Sequence, residues 1–574
     1  MRLLVSWVRD FVGIAATPEA IAETLALRGF EVASIEVAPE GVRPPWPQHA
    51  DGPDAVIDFE VTANRPDCLS VVGFAREIAT AFDLPFHPPA VAPAPASGAA
   101  GIRVDIEDPV RCPRYAAACA DVHPATSPAW MTARLQAAGV RPISPFVDIT
   151  NYVLMEFGHP MHAFDEARLG GGRIRVRGAA PGETLATLDG VVRTLDPEML
   201  VIADADRPQA IAGVMGGATS EVSGTTASVV FESACFQPAS VRRTSKRLGL
   251  KTEASARFER GADVNAPVVA LERALDLMER LGAGRRRGGI IDCYPAPRAP
   301  HTILLRRGRI GTVLGLTVPD ASVERILRSL GLEPAAAPDG WSVRVPTFRV
   351  DLIREVDLIE EVGRHHGFDK LHSSFPAMTA AAPAPDPRVP RDRRLREVAT
   401  AAGLTESVTF GFIEQTAARL FCDEGAYDDI VPVANPLSAT FDVLRPSLLP
   451  GLVDVVAHNR RHGRRDVGVF EIGARFTASA GERRAIAIAW TGAASPEHWS
   501  GSGRDVDFFD LKGVVERLAE GLGVAVHLEP ATVSWLVPGQ AARILAGATA
   551  IGALGLLPPK LVEQRGAPRA DRVY

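Results

Sequence analysis

FRVDLIREVDLIEEVGRHHGF, residues 348–368, sets acidic and aliphatic side chains at helical spacing. If the stretch is helical from Leu352, steps of roughly 100° per residue put Asp357, Glu360 and Glu361 on one arc. Leu358, Ile359 and Val362 then face the opposite way, and Asp351 sits just ahead of the helix on the acidic side. Four crowded carboxylates repel one another, so the arrangement calls for arginine partners or a bound cation. Oxygen-only ligands suit Mg2+, a hard ion that takes one or two carboxylates and fills its remaining positions with water or a partner's groups. The alternative is a solvated acidic face neutralised by Arg349, Arg354 and Arg364.

Working outward, 574 residues exceed one core and predict about three to five domains. Composition is that of a globular chain, 46% hydrophobic and 23% charged, and the net charge of −7 means that any nucleic-acid contact comes from local patches. Six cysteines without a C-x-x-C pair argue against structural zinc and a secreted disulfide scaffold, and fit a reducing cytoplasm. The N-terminal MRLLVSWVRDF is broken by Arg9 and Asp10 before a signal-length apolar run develops. The apolar run Ile544 to Leu557 is too short and glycine-rich to span a bilayer, so no membrane partner is expected.

An α+β, multidomain pattern emerges along the chain. Residues 1–86 read as strand, helix (Pro18 to Arg28) and strand, then a proline-rich linker at 38–53 without packed elements, a strand at Val56 to Val61, and a helix from Cys68 to Phe82 capped near Asp67. Proline and alanine at 87–101 mark a boundary. Residues 101–298 mix short strands and helices between glycine turns. Residues 300–374 form a small helical unit with helices at Arg307 to Leu314 and Ala321 to Leu330, a strand at Trp341 to Val345, and the acidic helix. After a further linker, 391–574 interleaves helices with strands of a predicted antiparallel sheet.

The phosphate-loop, serine-hydrolase and zincin signatures are absent. Three strings stand out instead: DITNYVLMEFGHPMHAFD (148–165), with Thr150, Asn151, His159 and His162; IAGVMGG (211–217), whose glycines admit close backbone approach; and 231–261, where the strand carrying Glu232 runs into Arg242, Arg243, Lys246, Arg247 and Lys251. Small, polar and basic strings together favour a concave site for an anionic polymer end. NRRHGRRD (459–466) reads as a solvated loop.

In order along the chain, VTANRPDCLSVVGFAREIA, the three strings above, residues 348–368, ANPLS with LRPSLLPGL, and VFEIGARF resemble the beta subunit of bacterial-type phenylalanyl-tRNA synthetase over nearly the whole length. The resemblance implies a partner alpha subunit that makes phenylalanyl-adenylate from ATP and charges tRNA(Phe) within an alpha-two beta-two heterotetramer. It further implies that 391–574 is a class II synthetase-like, non-catalytic docking domain, and that 101–298 hydrolyses mischarged Tyr-tRNA(Phe). Thr150, Asn151, His162, Gly216, Glu232, Thr252 and Ala254 match the editing site. Asp351, Asp357, Glu360 and Glu361 match a magnesium site shared with the alpha subunit.

The same likeness predicts departures. Relatives carry an oligonucleotide-binding fold where this chain has only 38–53, and continue beyond the equivalent of Tyr574 into an anticodon-stem-binding domain, so the resemblance leaves tRNA affinity and anticodon discrimination open. A rival reading is a free-standing editing hydrolase or RNA-binding paralogue. Retention of ANPLS and VFEIGARF argues against it, and the intact editing matches argue against a purely structural scaffold.

Overall fold

The computed structural model describes residues 1–89, 101–371, 373–376, 384–495, 498–499 and 503–574, and separates into two compact units, Met1–Phe375 and Pro376–Tyr574. Both mix helices with small, largely antiparallel sheets, a multidomain α+β architecture. Among the described residues no helix is long and apolar enough to cross a membrane.

The first unit opens with β1 (Arg2–Leu4), the one-turn α1 (Val5–Val8), α2 (Pro18–Ala26), β2 (Glu31–Val37), β3 (Ala55–Glu60) and α3 (Val71–Phe82). The expected helix from Cys68 starts later. Pro66–Cys68 forms a 3₁₀ turn, and the cap is Ser70, whose Oγ accepts from Gly73 N at 2.9 Å. Residues 38–53 contain no regular element but are packed, contrary to the linker reading. Val42 is buried and its carbonyl accepts from Arg134 Nε (2.9 Å), the buried Arg9 donates to the Gly52 and Pro53 carbonyls, and Trp46 meets Trp130 edge-on. Two buried guanidiniums need acceptors, and this segment's backbone supplies them. The boundary expected at 87–101 falls mostly outside the described residues.

Next come β4 (Arg103–Ile106), β5 (Arg114–Val122), α4 (Ala129–Ala137), α5 (Pro145–Phe157) and β6 (Met161–Asp165). They are followed by β7 (Arg173–Gly178), the hairpin β8 (Thr184–Ala186) and β9 (Val192–Thr194), β10 (Leu200–Ala203), β11 (Pro208–Ile211) and β12 (Met215–Gly216). The segment closes with β13 (Ser228–Cys235), α6 (Pro238–Leu248), α7 (Glu253–Phe258), α8 (Ala266–Arg280) and β14 (Gly284–Cys293). One sheet has the order β14-β5-β13-β6, the other β12-β11-β10-β7-β4.

Strand alternation splits the first sheet's side chains between two cores. Ala116, Ala118, Val229 and Phe231 pack with Ile149 and Val153 of α5 and Ala270 and Leu271 of α8. Tyr115, Ala117, Cys119, Val230 and Ala234 point the other way and pack with Ile174, Val176, Val201 and Ile211 of the second sheet. Glu232, between Val230 and Ala234 in that alternation, therefore lies on the inter-sheet side.

The last part of this unit is a three-stranded antiparallel sheet, β15 (Thr302–Arg306), β17 (Gly340–Arg344) and β16 (Glu333–Ala337), with α9 (Arg307–Leu314), α10 (Asp320–Ser329) and α11 (Glu355–His366). The acidic helix begins at Glu355 rather than Leu352. Asp357 stops it from extending further by accepting the Ile353 and Arg354 backbone N–H groups (3.0 and 2.7 Å).

The second unit carries helices Arg388–Ala401, Leu449–Arg461 and Phe508–Gly521. Its longest strands, Val467–Thr477 and Gly481–Thr491, form an antiparallel hairpin, and Thr405–Glu406 adds one parallel pairing. A separate antiparallel sheet joins His527–Pro530, Ala541–Ala546 and Thr549–Gly555. The basic string at 459–466 is not wholly a loop: Asn459 to Arg461 end a helix, and Arg460 binds Asp571 with two nitrogens.

Candidate active site

The site forms where β6 and β13 pair. Their register sets His162 directly opposite Glu232. In an antiparallel pair such residues share a face, so imidazole and carboxyl lie side by side between the sheets. Tyr115, diagonal to Glu232 through β5, puts its hydroxyl beside the same carboxyl. Glu232 is 6% exposed. Burial pushes its carboxyl up to about 8, opposed by Tyr115, and pushes His162 down to about 4. Among the described residues Glu232 Oε2 and His162 Nε2 make no hydrogen bond. Buried polar atoms without partners are costly, about 1–3 kcal/mol each, and mark a place where another polar group is accommodated.

The third wall is backbone. Gly213 turns the 211–217 loop with φ +70°, and Gly216 brings the chain against His162, where a Cβ would lie 2.5 Å from Cε1 and 2.8 Å from Nε2. Leu188 N donates to the Gly216 carbonyl at 3.0 Å, so the β8–β9 hairpin closes over the loop. Thr252 caps α7 and donates its Oγ1 proton to the Val214 carbonyl at 2.9 Å, tying α7 to the same loop, and Ala254 is half-buried against this core. Thr150 and Asn151 precede β6 on α5. Thr150 is buried with its hydroxyl donated to the Val147 carbonyl at 2.8 Å, and Asn151 is half-buried. Among the described residues neither bonds to His162 or Glu232.

The carboxylates of residues 348–368 meet arginines. Arg349, 2% exposed, binds both oxygens of Asp351 (2.9 and 2.8 Å) and Glu361 Oε2 (2.7 Å). Arg364 holds Glu361 at 2.8 Å and Glu77 of α3 at 2.9 Å, and Glu77 also takes Arg65 at 2.5 Å and His365 at 3.1 Å. Asp357 is occupied by the helix start and Arg354. Asp351, Asp357 and Glu361, expected with Glu360 around one ion, are thus each paired with an arginine. Among the described residues their oxygens do not converge at ligand spacing; Asp67, Cys68 and Glu77 do, and Arg65 fills that cluster. The expected arc is split, because α11 packs on two sides and leaves Val356 and Glu360 exposed on a third. Leu358, Ile359 and Val362 enter the small unit's core, while Glu361, Arg364 and His365 turn toward α3. Glu360 alone of the four is exposed, and it has no partner among the described residues.

Three family models match in succession: a B3/4 domain over 111–283, a tRNA synthetase B5 domain over 303–368, and the phenylalanyl tRNA synthetase beta chain CLM domain over 371–574. The phenylalanine–tRNA ligase beta subunit of Anaeromyxobacter dehalogenans is 40% identical over 541 residues, covering 92% of this chain and 68% of the relative. The chain belongs to the phenylalanine–tRNA ligase beta-subunit family. The Moorella thermoacetica beta subunit is 41% identical over 527 residues, 89% of this chain and 64% of the relative. The chain thus spans about two thirds of the length of these beta subunits. A crystal structure of an N-terminal fragment of the phenylalanyl-tRNA synthetase beta-subunit from Pyrococcus horikoshii covers 64% of this chain and 99% of its own at 14% identity, with a TM-score of 0.36.

Within this beta-subunit chain, the B3/4 match holds the inter-sheet pocket and the B5 match holds α11. The fold brings together His162, Gly216 and Glu232, with Thr252 and Ala254 behind the glycine loop, and leaves Thr150 and Asn151 one element away. Tyr115 and Leu188 were missed. Tyr115 sits in an ordinary alternating strand, RYAAACADV, and only the β5–β13 register reveals what it faces.

Proposed function

We propose that this chain is the beta component of a phenylalanine–tRNA ligase and that its inter-sheet pocket hydrolyses tyrosine mischarged onto tRNA(Phe). The carrying observation is the side-by-side placement of Glu232 and His162, both buried and both with unfilled hydrogen-bonding atoms, beneath a wall held open by Gly216. Tyrosine exceeds phenylalanine by one hydroxyl, which an apolar synthetic pocket rejects poorly, so a second site that rewards the hydroxyl raises fidelity. Glu232 accepts a hydrogen bond from that phenol hydroxyl, Gly216 and Ala254 leave room for the ring, and Thr252 holds the loop. His162, with Thr150 and Asn151 behind it, holds the water. At a pKa of about 4 the imidazole is neutral and serves better to orient water than to take its proton, since an efficient base titrates near the working pH. Water adds to the ester carbonyl, the ester C–O bond breaks, and tyrosine and the RNA with its terminal ribose hydroxyl restored leave.

Gly216→Ala tests the pocket without touching a polar group. Its methyl group would enter His162, so hydrolysis of Tyr-tRNA is expected to fall at least tenfold, with circular dichroism and the unfolding midpoint near those of the parent. Unchanged hydrolysis would remove His162 from the site.

Ligation itself, with ATP as substrate and Mg2+ as its cation, belongs to a cytoplasmic assembly with an alpha subunit, two copies of each. Of the four carboxylates expected at a shared ion, Glu360 is the one left open to it. Co-expression with an alpha subunit is expected to give a stable complex that charges tRNA(Phe) with phenylalanine, its assembly strengthened by added Mg2+ and less so in Glu360→Ala. A lone chain that hydrolyses Tyr-tRNA and binds no alpha subunit would favour the free-standing editor. Magnesium dependence identical in the variant would leave the acidic helix as a purely arginine-paired element.

A further inference from the structure

Tyr115 is a fully buried phenol in the alanine-rich strand β5, RYAAACADV, on the inter-sheet side with Ala117 and Cys119. The β5–β13 register explains its place. Ala117 stands directly opposite Glu232 and Tyr115 opposite Ala234, so only a methyl group occupies the near position and the space beside the carboxyl is left to the diagonal ring. Aromatic side chains span that diagonal in antiparallel pairs. Phenylalanine would fill the same apolar volume, and burying a hydroxyl without a polar partner is costly, so the phenol oxygen has to be there for a polar neighbour. That neighbour is the Glu232 carboxyl, and among the described residues the hydroxyl has no other partner.

Reading a substrate hydroxyl requires Glu232 Oε2 to be held in one place. A glutamate side chain that is loose in the free protein must be ordered by the substrate, and that ordering subtracts from binding. We infer that Tyr115 is the positioning residue of the hydroxyl reader: its O–H donates a hydrogen bond to the Glu232 carboxyl and so holds Oε2 toward the phenol of the tyrosyl ester. This deepens the editing reading and rests on it. A second consequence concerns protonation. A protonated carboxyl carries a donor of its own, whereas an ionised one only accepts. Burial favours the protonated form of Glu232 and Tyr115 opposes it, and no charged side chain adds to these two influences. Without the Tyr115 hydroxyl the carboxyl would therefore keep its proton to higher pH. The other titratable groups around it stay in one form near pH 8: His162 on β6 titrates near 4, and burial holds the Tyr115 phenol and the Cys112 thiol well above their ordinary values.

The test follows hydrolysis of Tyr-tRNA and Phe-tRNA by the full chain across this pH range, with spontaneous ester hydrolysis subtracted. The ratio of the two kcat/KM values, which reports groups of the free enzyme, is expected to rise in the parent with a midpoint of about 8. Tyr115→Phe keeps the ring. It is expected to lower the ratio about two- to tenfold at pH 7, the cost of ordering one long side chain, and to move the midpoint upward. A midpoint that stays where it is in the parent overturns the inference even if rates or stability fall, because a merely structural role would lower those without moving a titration. Failure of the editing reading looks different: the parent itself then shows no Glu232-dependent preference for Tyr-tRNA, and the inference falls with it. If Tyr115→Phe does not fold, Tyr115→3-fluorotyrosine, a stronger donor of nearly the same size, is expected to move the midpoint downward, and an unmoved midpoint again overturns the inference.

Discussion

Glu232→Ala is expected to lower kcat/KM for hydrolysis of Tyr-tRNA by about 10- to 100-fold, while the slow hydrolysis of Phe-tRNA barely changes. A hydrogen bond is worth about 0.5–1.5 kcal/mol when both partners are neutral and about 1.5–3 kcal/mol when one is charged, as the carboxyl becomes above pH 8, and each 1.4 kcal/mol is a factor of ten. Because phenylalanine has no hydroxyl to offer Glu232, only the tyrosyl ester loses the interaction, so selectivity collapses rather than turnover in general. Deacylation assays on the two charged tRNAs read this directly, and undiminished tyrosine selectivity would sink the hydroxyl-reading role. Glu232→Gln separates recognition from charge. The carboxyl's pKa is raised to about 8 in the folded chain, and the unfolded chain titrates near the ordinary carboxylate value of about 4.3. Below pH 4 both states are protonated and the carboxyl carries no penalty. Between about pH 4.5 and 8 the unfolded state loses its proton first, so the parent is progressively destabilised, by a few kcal/mol at the upper end. Glutamine cannot ionise, so Glu232→Gln should match the parent at pH 4 and be more stable at pH 8. Urea unfolding at the two pH values measures the difference, and equal stability at pH 8 would show that the carboxyl is not desolvated.

How far the site could be read in the sequence depends on whether local or distant contacts made each part. Alternation in AVIDFE gave the strand Ala55–Glu60, and the α+β character followed from strands and helices interleaved between glycine turns. The paired Gly216 and Gly217 were legible as a place of close approach, and each has a distinct steric reason to be there, His162 beside the first and the Gln209 carbonyl beside the second. What stayed hidden was register. Nothing in DITNYVLMEFGHPMHAFD or FESACF states that His162 meets Glu232, because that pairing is set by two strands far apart in sequence. Tyr115 was missed for the same reason. Residues 38–53 looked like a linker because proline and glycine disfavour regular elements, yet backbone carbonyls need no regular element to satisfy Arg9 and Arg134. The acidic helix is a different case. Its angular arithmetic was sound; α11 packs on two sides and leaves only Val356 and Glu360 exposed, and the arginines weighed as the alternative pair with Asp351, Asp357 and Glu361.

Arg364→Met is expected to destabilise the first unit by about 3–5 kcal/mol at pH 7, the usual cost of removing one partner from a buried ion pair. Arg364 is 4% exposed and bridges Glu361 on its own helix to Glu77 on α3, so methionine would strand two buried carboxylates at once. Charges in this network balance: Arg65, Arg76, Arg349 and Arg364 face Asp67, Glu77, Asp351 and Glu361. Removing one cation leaves an uncompensated negative charge that water cannot reach, whereas removing an exposed partner such as Arg354 leaves Asp357 able to find solvent and its own backbone donors. The pH dependence identifies the mechanism. Both Glu77 and Glu361 are held below the ordinary carboxylate range, chiefly by Arg364, against the opposing effect of burial. Stability from a depressed carboxylate is present above its unfolded value, near pH 4.3, and is lost as pH falls toward its folded value. Acid protonates the stranded carboxylates in the variant before it protonates the paired ones in the parent, so the gap between the two proteins should narrow below about pH 4. A variant penalty that stays constant from pH 7 to pH 3.5 would mean that Arg364 acts through packing of its aliphatic stem, and that α3 and α11 are joined by shape more than by charge.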